Sequence, residues 1–158
     1  MRAEILRLKQ VLETCDTHAA ALQEALTDIR QEQDWSAEKL ASLDKQARRL
    51  LDQFAFRYTR LQDDMGQKLF PAILAALGEE VASLSMLDRM NRLEQLGCLP
   101  SAESWQMLRL IRNEFAHDYP ETTIERSARL QMATRAAEEV LGVFARLVAY
   151  VEARLKLV

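Results

Sequence analysis

Four glycines, three prolines and two cysteines in 158 residues leave this chain little with which to break a helix or cross-link one. Glycine and proline are the residues that most disfavour helix interiors, so their scarcity favours helix throughout. There is no alternating apolar–polar stretch of useful length, no hairpin dipeptide and no internal repeat, which removes sheets and solenoids from consideration. No apolar run approaches the roughly 18 residues that a membrane span requires, so no membrane partner is expected. The opening MRAEILRLKQVLETC has no uninterrupted apolar core, and no signal peptide is expected there. Cys15 and Cys98 fall on separate predicted helices without metal-ligating neighbours, and two buried thiols in a reducing cytoplasm are expected. Excess positive charge is missing too. A net charge of -3 argues against a general nucleic-acid coat, for which a basic domain is the rule. Glycine-rich phosphate loops, HExxH, CxxC and G-x-S-x-G are all absent. Glu114 stands three before His117, but no second E-x-x-H accompanies it as a di-iron bundle requires, so neither metal nor cofactor is expected.

What is present is a globular balance, 49% hydrophobic and 28% charged, in a chain long enough for one domain with a proper core. A single domain over 1–158 is therefore expected. Ile5, Leu8, Leu12, Ala19, Leu22, Leu26 and Ile29 hold a three-and-four spacing that predicts a first helix from 2 to about 33. His18 lies within it, with no carboxylate three or four residues on, and reads as a surface or boundary histidine. Ser36 is a candidate N-cap, with Trp35 stapled onto the following turn, for a second helix over about 37–65. Phe54 and Phe56 on that helix read as core. Gly66 and Pro71 predict an interruption and a short helix from Phe70 to a stop at Gly78. Ser83 or Ser85 opens a helix over 84–96, closed by Gly97. Ser101 caps the next, which carries Trp105, Leu108, Ile111 and Phe115. Thr122-x-x-Glu125 is a capping box that starts a last helix to about Leu157. The predicted fold is all-α, an antiparallel four- to five-helix bundle.

The chemistry concentrates in LRLIRNEFAHDYPE, residues 108–121. Leu108, Ile111 and Phe115 mark a buried stripe; Arg109, Asn113 and His117 step by four along another face; Arg112 and Tyr119, seven apart, nearly eclipse. A cation, an amide, an imidazole and a phenol at one helix end suit a phosphate or nucleotide better than a core. The plain structural alternative is a helix C-terminus whose negative dipole end meets His117. Arg48, Arg49, Arg57 and Arg60 on the second helix, joined by Arg109 and Arg112, form either a local basic cleft or a solvated face. Arg57, Arg60 and Asp63, stepping by three, are also candidates to support the 112–119 cluster from behind.

The R-x4-H-x-Y pattern of Arg112, His117 and Tyr119, with polar Asn113 after the arginine, resembles the signature of the HEPN superfamily. Within it the pattern is most similar to HepT-type toxins and to the substrate-binding partners of minimal nucleotidyltransferases. The resemblance covers this stretch residue by residue, and the remainder in architecture alone. It implies a metal-independent endoribonuclease in which RNA supplies its own nucleophile, the 2'-OH, so DNA is not an expected partner. A histidine that titrates near neutrality moves the protons, and an arginine fork holds the phosphoryl oxygens. Arg112 and His117 are five apart, about 140° round an ideal helix. They converge if the last turn unwinds or a second chain completes the site, and a single such histidine per chain is a reason to expect a homodimer. The resemblance also implies a cognate nucleotidyltransferase antitoxin that silences the nuclease by transferring AMP to Tyr119. The alternative is a non-catalytic subunit that binds substrate or nucleotide for a separate nucleotidyltransferase.

Overall fold

Helix ends in this chain are set by side chains that satisfy the orphan N–H groups of each first turn. In the computed structural model, which describes residues 2–32, 34–116 and 122–156, the elements are α1 (Arg2–Gln31), α2 (Ala37–Ala41), α3 (Lys45–Asp64), a π turn (Met65–Leu69), α4 (Phe70–Ala76), α5 (Met86–Gln95), α6 (Ala102–Ala116) and α7 (Thr123–Leu155). The Ser36, Ser85, Ser101 and Thr122 hydroxyls each accept from the backbone N–H three residues on. Gly78 and Gly97 take φ of 82° behind the helices they close, the left-handed geometry that glycine adopts without a Cβ penalty.

The architecture is an all-α bundle; the described residues contain no strand. α1 lies antiparallel to the α3–α4 run. Its C-terminal Asp28 and Gln31 line one hollow with Ala47 and Leu50, its middle meets Arg57, and its N-terminal Arg7 shares a recess with Lys68. α6 runs antiparallel to the same element on another flank, from Trp105 beside Phe70 to Phe115 against Phe54 and Tyr58. α7 packs on α1, α2 and α6. The core is continuous through Leu8, Leu22, Leu26, Phe54, Tyr58, Leu61, Phe70, Trp105, Val140 and Leu147. No described helix is long and apolar enough to cross a membrane. Cys15 and Cys98 are free and buried, and burial pushes the Cys15 thiol up to about 12.

Several expectations are corrected. The predicted helix over 37–65 is two helices, because the Asp44 carboxylate accepts from Ala47 N–H at 2.8 Å and caps a new start. Gly66 and Pro71 do not interrupt the chain; it stays helical through the π turn, where Phe70 N–H bonds back to Met65 C=O. This wider turn accommodates the register change just ahead of Pro71, which has no N–H to offer. Trp35 also reaches backward, donating from Nε1 to Ile29 C=O at 2.8 Å. Phe56 is 52% exposed, not core. His18 is buried, because α3 lays Arg57 and Asp64 over it, a pairing across 39 or more residues that no local pattern reports. Gln33 and Leu157, at expected helix ends, lie outside the described residues.

Candidate functional site

Two facing helix stripes build a cleft of about 210 Å³ beside the motif. On α3 and the π turn, Gln62 and Gly66 stand one turn apart, as do Asp63 and Gln67. On α6, Trp105, Arg109, Arg112 and Asn113 recur at helical spacing and form the opposite wall, with Met86 at the rim. Aromatic packing sets the separation. Phe115 meets Phe54 and Tyr58 edge-on at 5.8 and 5.7 Å, and Trp105 tilts onto Phe70 at 4.9 Å.

Arg112 is the fixed point of the cleft. Its Nε donates to Asp63 Oδ1 at 2.8 Å and its Nη2 to Oδ2 at 2.6 Å, a fork-to-carboxylate pair between α6 and α3. A guanidinium carries five N–H donors; Asp63 occupies a donor on each of two nitrogens and leaves Nη1 for a further acceptor. The Tyr58 phenol lies in the same field, fully buried, its pKa raised chiefly by burial. Gln62, only 2% exposed, has neither amide atom bonded, and the Trp105 Nε1–H is likewise buried and unpartnered.

The sequence-predicted residues divide. Arg109, Arg112 and Asn113 come together in the cleft. Asp63 supports Arg112 from behind, but Arg57 and Arg60 do not join it. They turn to the flank against α1, where Arg57 Nη1 donates to His18 Nδ1 at 3.0 Å and Arg60 lies 4.0 Å from Asp64. His117 and Tyr119 lie outside the described residues; α6 is described as far as Ala116, the residue before His117. Comparison with protein-family models, with curated proteins and with solved structures finds no match.

The second cluster, around Asp64, is a network of charges on the α1 flank of α3 that borders the recess of Arg7 and Lys68. Arginine donates only, so the bond from Arg57 requires the lone pair of His18 on Nδ1 and puts its ring proton on Nε2, 3.7 Å from Asp64 Oδ2. Lys68 completes the ring of cations at 3.6 Å from Asp64, and Phe56 presents its ring to both His18 and Arg57. Burial, then Arg57, holds the His18 pKa below its ordinary value. Among the described residues no three His, Cys, Asp or Glu side chains gather as a metal site would require.

Two cleft residues with buried, unpartnered polar atoms were not singled out for function by sequence reasoning. Gln62 carries a visible signal: it is a polar residue one turn beyond Tyr58 and beside Leu61, on the stripe that otherwise reads Phe54, Tyr58, Leu61, Met65. Trp105 reads as core, and most of its surface is core; only the unpartnered N–H distinguishes it.

Proposed function

We propose that this chain is a metal-independent endoribonuclease of HEPN type, the toxin of a two-gene module with a nucleotidyltransferase antitoxin. The observation that carries the reading is the Asp63–Arg112 pair at the mouth of the cleft. Arg112 is held by its Nε side, so its orientation is set before any ligand arrives and Nη1 keeps its donors for phosphoryl oxygens. Preorganised donors of this kind stabilise charge that grows in a transition state at no reorganisation cost. Arg109 and Asn113 on the same wall supply a second cation and an amide for the backbone of an RNA strand. His117, next along the chain from the last residue of α6, is assigned the proton transfers, and Tyr119 the AMP acceptor whose modification shuts the site by bulk and charge. A second copy of the chain is expected to bring a second Arg112–His117 set to the same RNA.

The test is cleavage of a defined RNA in excess EDTA by wild type, Arg112→Ala and His117→Ala. Cleavage by wild type that both variants lose supports the reading; no cleavage by wild type, with nucleotide binding retained, leaves the non-catalytic binding subunit. One feature favours that second reading: the net charge of -3 suits a subunit that presents a small substrate better than one that grips an RNA strand.

A further inference from the structure

Phe54 and Tyr58 on α3 are fully buried, yet Phe56 between them is 52% exposed. It stands on the outer ridge of the helix, with Arg49, Gln53 and Arg60 at helical spacing, all exposed. The ring is nonetheless held in place. The Arg57 guanidinium packs over it at 5.3 Å from the centroid, and the His18 ring stands nearly perpendicular to it at 6.1 Å. Arg57 is fixed in turn by its bond to His18 Nδ1.

The surroundings of this ring are basic, in a chain whose net charge is -3. Arg60, one turn beyond Phe56, and Lys68 on the π turn are half-exposed. They stand 4.0 and 3.6 Å from the Asp64 carboxylate. That is close enough for its charge to steady them and too far for a hydrogen bond, so their N–H groups stay open to another acceptor. Exposed Arg7 adds a third cation across a recess of about 80 Å³ that it shares with Lys68. Asp64 itself is 4% exposed and lies beneath these groups. The strip also reaches the cleft: Gln67, the residue before Lys68, lines the space between α3 and α6, so the two surfaces adjoin across the π turn.

We infer that the α1–α3 flank is a second binding surface for single-stranded RNA, in which a base stacks on Phe56 and neighbouring phosphates meet Arg60, Lys68 and Arg7. Proteins that hold single strands combine a basic groove with aromatic rings, and they tolerate any sequence because every base has a face to stack. A positive strip alone suits an acidic protein segment equally well. The ring, exposed and braced at the centre of the cations, is what favours bases. From Lys68 the strand continues over the π turn to the cleft, so the flank grips RNA at a distance from the bond that is cut. The inference rests on the nuclease reading only for the claim that the strand held here is the strand cleaved there.

Equilibrium binding separates the two when the strand cannot be cut. The probe is a fluorescein-labelled 2'-O-methyl oligoadenylate of about 15 nucleotides, which lacks the 2'-OH nucleophile. Phe56→Leu keeps an apolar side chain and removes the ring; it is expected to weaken binding about tenfold with an unchanged melting temperature. Phe56→Trp should retain the affinity, with its emission quenched by the bound bases. Arg60→Gln should lower the slope of log K against log salt by about 0.7, the share of one phosphate contact. An oligoglutamate peptide of equal charge is expected to bind about tenfold more weakly than the strand. Equal affinity for the peptide assigns the flank to an acidic protein segment and overturns the inference. Wild type that does not bind the strand overturns it as well, as does Phe56→Leu with wild-type affinity or Arg60→Gln with an unchanged salt slope. Binding through Phe56 by a wild type that cleaves no RNA counts against the nuclease and leaves this surface standing.

Discussion

Asp63 on α3 grips Arg112 on α6 through two hydrogen bonds, 2.8 and 2.6 Å, across 49 residues of sequence. The pair is partly open to solvent, with side-chain exposures of 35% and 22%, so its contribution to stability is small while its control over direction is large. Pairs of this exposure contribute about 0.2–1 kcal/mol. Asp63→Ala is accordingly expected to shift the melting temperature by only a few degrees and to lower RNA cleavage by about 10–100-fold through a misdirected guanidinium. Arg112→Lys keeps the charge and loses the fork, and should be as damaging as Arg112→Ala. Full activity in Arg112→Lys would show that charge alone suffices and that the Asp63 grip is incidental.

His117→Ala is expected to lower cleavage by about 10²–10⁴-fold, the range for a positioned acid–base group, with an unchanged melting temperature. Mixing His117→Ala with Arg112→Ala chains tests the composite site. If a second copy completes each site, mixed dimers regain a fraction of wild-type cleavage. Sedimentation equilibrium should give twice the 18.1 kDa chain mass; a monomer that cleaves RNA normally would remove the second chain from the chemistry.

Tyr119 separates toxin from binding subunit. Incubation with ATP, Mg²⁺ and the cognate nucleotidyltransferase should add whole AMP units to the intact mass, placed on Tyr119 by peptide mapping, with loss of cleavage. Tyr119→Phe should cleave RNA and resist silencing. Modification at Tyr58 instead is not expected, since that phenol is fully buried.

The His18 pKa is lowered from 6.5, first by burial and then by Arg57, with Arg60 and Lys68 acting in the same sense and Asp64 against them. Well above pH 6.5 the ring is neutral in folded and unfolded chains alike, and the His18–Arg57 bond contributes in full. As pH falls below 6.5 the unfolded chain takes up the proton first, so stability declines until pH passes the folded value. The slope cannot exceed one proton, about 1.4 kcal/mol per pH unit. His18→Gln, whose carbonyl still accepts from Arg57, should lose less stability than wild type between pH 7.5 and 5.5. Parallel declines in the two proteins would place the acid sensitivity elsewhere.

What was legible in the sequence was local. Ser36, Ser85, Ser101 and Thr122 announce helix starts because a cap is a contact over three residues, and Gly78 and Gly97 announce ends because a single residue bears the left-handed turn. The grouping of Arg109, Arg112 and Asn113 follows from helical spacing in the same way. What spacing does not report is which side of α3 meets which neighbour. Arg57, Arg60 and Asp63 form one series in the sequence, yet α1 claims the first two through His18 and Asp64, while α6 claims Asp63. Gln62 was visible as an interruption of an apolar stripe, but that it faces a cleft depends on the register of α6.

The π turn shows how small a displacement decides such matters. Continued at α-helical pitch, the stripe Phe54, Tyr58, Leu61, Met65 would next turn inward near Lys68, and Phe70 and Leu74 would point away from the core. One extra residue in the turn acts as a phase shifter: Leu69, Phe70, Ile73 and Leu74 come inward, and the Lys68 ammonium is left at the edge near Asp64. Removing the exposed Gln67 would rewind the turn and rotate everything after it by about 100°. Phe70 would then leave the Trp105 ring that it braces. The cleft thus keeps its shape through a single residue of slack in a helix that never breaks.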